Sequence, residues 1–261
     1  MKIFYVAELV GKAGVFTLKK AINELKSRYN WDFLIVNADG ATSGNGLGYN
    51  HAIYIHKLGA DVITLGDCCF HKKDLTENIG KMHFVLRPNN FNPQSPGHGS
   101  FVFKKGNKKI AVVVFMGQNG FNRLHANNSF VGLGSMLENL QRQTPYVLVD
   151  FHAQASGEKK TFFAAVDGLC SAVIGSHTRV QTADETILPG GTAVISCAGR
   201  TGSQQSVGGC EINSRINEYL SGIPDWTRDA WEDLELQGVY LDIGKDGKAQ
   251  AIERVRLKVN R

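Results

Sequence analysis

Short apolar runs alternate along the chain with longer segments in which apolar residues return every three or four positions, the patterns of buried strands and amphipathic helices. Ile3 to Val6 predicts a first strand, followed by a loop over Ala7 to Gly14. Leu18, Ile22, Leu25 and Tyr29 then recur at i, i+4, i+7 and i+11, which gives a helix one apolar face. Phe33 to Val36 predicts a second strand, a helix runs through Ile53 and Leu58, and Val62 to Leu65 predicts a third strand. These are βαβ units, whose loops gather at the C-terminal ends of the strands.

The second half changes character. Phe101 to Lys104 and Ile110 to Met116, joined through Lys105 to Lys108, predict a β-hairpin. Tyr146 to Phe151 and Ala172 to Ile174 predict further strands, separated by a helical stretch from about Glu158 to Val166. Gly238 to Ile243 and Ala251 to Val259 flank Asp246-Gly247, a favoured hairpin turn. The expected fold is α/β: two mixed sheets packed on each other with helices outside, in one domain over residues 1–261. The Gly- and Ser-rich stretch Cys197 to Gly209 reads as a mobile loop, with a pocket or a protein contact as the alternative.

Composition narrows the class without naming a chemistry. The 261 residues are 43% hydrophobic and 20% charged, enough for a sizeable core. The net charge of +5 is scattered, and the lysines at 104, 105, 108 and 109 fit a solvated hairpin tip, so no nucleic-acid groove is expected. The apolar start is too short to span a bilayer, so a cytoplasmic protein without a membrane partner is expected. Five cysteines without paired C-x-x-C spacing suggest neither a disulfide framework nor a structural zinc site.

Chemistry enters with the polar residues that follow the apolar runs. Glu8, Asp39, Asp67, His152 and His177 each come just after a predicted strand, where separate loops of an open α/β sheet converge. Carboxylates with two imidazoles suit a divalent metal such as iron, manganese or zinc. Taken singly, such a carboxylate is more often a cap or turn residue, and such a histidine a hydrogen-bonded core residue.

The ordered blocks AELVG, VNADGATSGNGL, GADVITLGDCCF, RPNNF, VDFHAQAS and IGSHTRVQTADETILPGGTAVI resemble the YmdB-like metallophosphoesterases over nearly the whole chain. The resemblance implies the four-layer αββα sandwich of calcineurin-like phosphoesterases, a dinuclear metal site that opens cyclic nucleotides, and a homo-oligomer. It also exposes departures. Glu8 stands where the family has aspartate, and Asp39-Gly40 where it has Glu-Asn. Asp67-Cys68 stands where it has Asn-His, and Arg179 replaces the second histidine of His-Thr-His. By this correspondence one family metal would keep Asp39, Asp67, His152 and His177. The other would be left with Glu8 and Asp39, because Gly40 and Arg179 have no donor to offer.

A guanidinium is permanently protonated and presents no lone pair. Facing a divalent ion at ~4 Å, it would cost on the order of 8 kcal/mol at an effective dielectric of ~20, before relaxation. The second family metal is therefore not expected; Arg179 is expected to pair with Glu8 or Asp39, or else to point outward. Cys68, at the position of the family's general acid, is poorly matched to that role and reads as a small buried residue. Three readings follow. The first is a scaffold with little or no hydrolysis, acting as a structural or regulatory subunit with a protein partner. The second is a phosphodiesterase using a single metal, with Arg179 contacting phosphate. The third is a sensor that keeps a nucleotide or phosphodiester ligand without turnover.

Overall fold

The computed structural model describes residues 1–121, 125–225 and 228–261. In chain order the elements are β1 (Lys2–Val6), β2 (Glu8–Leu9), α1 (Gly11–Tyr29), β3 (Phe33–Asn37), α2 (Tyr49–Lys57), β4 (Val62–Thr64), α3 (Lys73–Thr76) and β5 (Val85–Leu86). They continue with β6 (Ser100–Lys105), β7 (Lys108–Met116), α4 (Leu133–Gln141), β8 (Val147–His152), α5 (Ser156–Ala165) and β9 (Ala172–Ser176). The last are β10 (Thr186–Ile187), β11 (Ala193–Ile195), β12 (Arg200–Ser203), α6 (Ile212–Ser221), β13 (Leu234–Ile243) and β14 (Ala249–Lys258). One mixed sheet runs β2-β12-β13-β1-β3-β4-β5, with β14 paired to β13, and a second runs β10-β11-β9-β8-β7-β6.

Strand parity explains the layers, since successive side chains point to opposite faces. In β1 and β3, Ile3, Tyr5, Phe33 and Ile35 face the second sheet. Their neighbours Phe4, Val6, Leu34 and Val36 join Leu18, Leu25 and Tyr29 of α1 on the outer side. In the second sheet, Ile110, Val112, Val114, Leu148 and Ile174 face inward. Val113, Phe115, Val149, Phe151 and Val173 instead pack against Leu137 of α4 and Phe162 of α5. Three apolar layers therefore separate helix, sheet, sheet and helix. The central strands β1, β3, β7 and β8 are buried on both faces, which is why they read as continuous apolar runs.

The structure extends several expected strands and corrects two loops. The predicted loop over Ala7 to Gly14 is not irregular: Glu8 and Leu9 pair with Arg200 and Thr201 of β12, and α1 starts at Gly11. The stretch Cys197 to Gly209 is no open loop, because Arg200–Ser203 forms a buried strand between β2 and β13. Arg200 donates to the carbonyls of Arg179, Ser203 and Gln204, so a sequence without apolar pattern is fixed by polar contacts. Strands β8 and β9 run on to His152 and Ser176, carried past the apolar run by the pairing of Met116 with His152 and of His152 with Ser176. Among the described residues, no helix is long and apolar enough to cross a membrane.

Candidate functional site

The parallel strands β3, β4, β8 and β9 bring Asp39, Asp67, His152 and His177 to one end of the two sheets. His152 closes β8 and is buried, with Nε2 2.7 Å from Asp67 Oδ1 and 3.8 Å from Asp39 Oδ2. His177 follows β9, with Nδ1 3.3 Å from Asp67 Oδ1 and 3.1 Å from His152 Nε2. Donor atoms of Asp67, His152 and His177 lie within 4.8 Å of one another, and so do those of Asp39, Asp67 and Cys68. The two groups share Asp67. Gly66 makes the approach possible, since a Cβ there would lie 2.2 Å from the His152 ring.

Asp39 is buried and accepts hydrogen bonds from the backbone N–H of Gly66 at 2.6 Å and of Cys68 at 3.1 Å. Burial pushes its carboxyl up to about 7; the charge of His152 opposes this and those of Asp67 and Glu8 add to it. Burial also acts against the charged form of His152, but the Asp67 hydrogen bond and the charges of Asp39, Asp67 and Glu8 outweigh it and raise the imidazole to about 9. Burial would push Asp67 up, yet the His152 and His177 hydrogen bonds hold its carboxyl well below the usual range. Burial, then Asp39 and Asp67, push the half-buried Cys68 thiol far above its ordinary value. Cys68 is thus less buried than its sequence suggested, and its sulfur stays protonated near neutral pH.

Glu8 and Arg179 form the other half. Glu8 is 3% exposed. Its Oε1 accepts from Arg179 Nη2 at 2.6 Å and from Nε at 2.9 Å. The guanidinium also donates to the carbonyls of Gly44 at 2.9 Å and Gly208 at 3.2 Å, so Arg179 points into the site rather than outward. A Cβ on Gly40 would lie 2.7 Å from Glu8 Oε1 and 2.8 Å from Arg179 Nη2, so the pair fills the space beside residue 40. His177 at φ +90° and Arg179 at φ +57° both hold left-handed backbone, a cost of about 1–3 kcal/mol each that tertiary contacts must sustain. Alongside Arg179 opens a cavity of about 620 Å³ whose wall includes Ser43, Lys72, Cys210 and Arg215.

Several residues around the site escaped the sequence reading. Ser176 Oγ lies 3.0 Å from His152 Nδ1 and donates to Asp150 at 2.7 Å. Phe121 packs edge-on against the His177 ring at 4.9 Å. The available signal was an acidic residue, Asp150, in the middle of the apolar run Val147–Phe151, since a charge is seldom buried there without partners.

Comparison with known proteins agrees with this fold. The model of the YmdB-like protein family matches residues 4–255. A 2′,3′-cyclic-nucleotide 2′-phosphodiesterase of Bacillus subtilis is 35% identical over 259 residues, covering 98% of this chain and 96% of its own. A solved structure described as a novel phosphatase from Mycoplasma pneumoniae superimposes with a TM-score of 0.91 at 30% identity, over 99% of this chain and 93% of that one. A hypothetical protein from Thermus thermophilus gives 0.90 at 28% identity, over 99% of both chains.

Proposed function

The chain belongs to the YmdB-like family, and from that premise we propose a phosphoesterase scaffold with a degraded dinuclear site, little or no hydrolase activity, and a structural or regulatory role. The observation that carries this reading is the Arg179–Glu8 pair. Two guanidinium N–H groups converge on Glu8, one of the two buried carboxylates that would otherwise face a second cation. Gly40 adds no donor, and any side chain there would collide with that pair. These residues do not fit a metal ion at this position. The same proposal includes the homo-oligomer that the resemblance implies and a cytoplasmic location. Ile216, Tyr219 and Leu220 of α6 supply exposed apolar surface for association.

A second reading is favoured by the convergence of Asp67, His152 and His177. Their chemistry fits one ion of iron, manganese or zinc, with Asp39 as a fourth donor beside His152. Such an ion would supply charge stabilisation of a phosphodiester and activation of a water. Arg179 would hold a phosphate oxygen with whatever donor capacity Glu8 leaves free, and the cavity lined by Lys72 and Arg215 would receive the rest of an anionic ligand. The Cys68 thiol is mismatched to proton donation near neutral pH.

One assay separates the readings. Purified protein is incubated with a 2′,3′-cyclic nucleotide and an aryl phosphodiester across manganese, iron, zinc and magnesium, with metal content measured in parallel. The first reading expects no turnover above the His152→Ala control. Robust metal-stimulated hydrolysis that disappears in that variant would overturn it in favour of the second.

A further inference from the structure

Beneath the candidate donor group lies a buried polar network that spans the gap between the two sheets. Parity sets it up. Tyr5, Asn37 and Thr64 occupy inward positions of β1, β3 and β4, while Asp150 and Ser176 occupy inward positions of β8 and β9. All five are buried, and Asp150 is 0% exposed. Asp150 Oδ2 accepts from the Tyr5 hydroxyl at 2.6 Å, Thr64 Oγ1 at 2.5 Å and Asn37 Nδ2 at 3.2 Å, and Oδ1 accepts from Ser176 Oγ at 2.7 Å.

We propose that Asp150 is a positioning residue that, through Ser176, holds His152 with a proton on Nδ1 and leaves Nε2 turned toward Asp67 and His177. The inference rests on the donor group named above, and its direction follows from counting donors. Asn37 cannot present its oxygen to Asp150, because Asn37 Oδ1 already accepts the N–H of Asp39 at 3.1 Å; its amide nitrogen must donate. Four donors converge on the two oxygens of Asp150, which serves as the acceptor of every bond. The Ser176 hydroxyl proton is thereby committed to Asp150. What Ser176 offers His152 is a lone pair, so the proton between them belongs to Nδ1. The buried Lys159 Nζ donates to the Ser176 carbonyl at 2.9 Å and so fixes the backbone that carries the hydroxyl. A metal-ligating histidine whose second nitrogen is fixed in this way is pre-oriented, and outer partners of this kind are typically worth about 10–100-fold in metal affinity.

The test uses the full chain labelled with 15N-histidine, together with zinc titration calorimetry. The His152 Nδ1–H is expected as a slowly exchanging ring signal in the unsubstituted protein without metal. Ser176→Ala, which leaves three of the four hydrogen bonds of Asp150 intact, should erase that signal and weaken zinc binding by roughly 10–100-fold. Asp150→Asn should do the same by offering a donor to Ser176 and reversing the chain. Thr64→Val is the control for general loosening: it also removes a bond to Asp150, lowers the melting temperature, and should keep the signal. A folded Ser176→Ala protein that retains the protected Nδ1–H, or a Thr64→Val protein that loses it, would sink the proposal. If the unsubstituted chain binds no zinc, the metal reading falls and the ring signal alone decides this one.

Discussion

Arg179→Ala removes the guanidinium while the Glu8 carboxylate stays buried at 3% exposure. Two charge-assisted hydrogen bonds to Glu8 are lost, and the carbonyls of Gly44 and Gly208 lose a donor each. Stripping one partner from a buried ion pair costs about 3–5 kcal/mol, chiefly because the remaining charge is left unpaired. The Arg179 side chain is 22% exposed, so water can enter the vacated space, and the lower end of that range applies. About 3 kcal/mol corresponds to a fall in Tm of roughly 6–12 °C for a chain of this size. Alanine is the right replacement, because glycine would also relieve the φ of +57° and mask the loss. The assay is calorimetric unfolding in EDTA at about pH 7.5, repeated in a cycle with Glu8→Gln. Neutralising Glu8 in the Arg179→Ala background should recover most of the loss, which gives a coupling of about 2–3 kcal/mol. Manganese should stabilise Arg179→Ala more than the unsubstituted protein, because Glu8 and Asp39 would then be free to face a cation. A Tm within about 2 °C of the parent, or additive behaviour in the cycle, would refute the argument that the guanidinium substitutes for an ion at this point.

Two further outcomes follow from the same geometry. Gly40→Asn alone should destabilise the fold by about 1–3 kcal/mol, since its Cβ would sit 2.7 Å from Glu8 Oε1 and 2.8 Å from Arg179 Nη2; the Gly40→Asn/Arg179→His pair should recover that loss in urea unfolding. In EDTA, His152, raised from 6.5 to about 9 in the fold, contributes stability that is full below pH 6.5 and is lost as pH rises through about 9. Melting temperatures should therefore fall over that interval in the unsubstituted protein and lose the slope in His152→Gln.

Much of the fold was legible because β1, β3, β7 and β8 are buried on both faces, and burial of that kind leaves a continuous apolar run. The face of α1 was legible from Leu18, Leu25 and Tyr29 for the complementary reason, one apolar stripe at helical spacing. β12 was not, because Arg-Thr-Gly-Ser carries no pattern and is held by carbonyls that Arg200 reaches across the turn. α6 was missed although Ile212, Ile216, Tyr219 and Leu220 recur at i, i+4, i+7 and i+8; that apolar stripe is exposed, and none of the helix's residues is buried. At the site, the residue types and their order at strand ends suggested Asp39, Asp67, His152 and His177, and the resemblance sharpened the contrast with Gly40 and Arg179. Asp150 stayed hidden, since its partners Tyr5, Asn37 and Thr64 come from the other sheet, and no spacing along one strand announces a contact between sheets.

The crowding at Gly40 also orders history. While any side chain stands at position 40, the guanidinium has no room beside Glu8; once it has settled there, that room is closed to later arrivals. A lineage could reach the present arrangement by shedding the side chain first and acquiring the arginine second. The way back is harder in single steps. Restoring residue 40 first meets a collision, and removing the arginine first leaves a buried carboxylate alone. Gly40 and Arg179 thus act as a ratchet, in which each makes the other difficult to change.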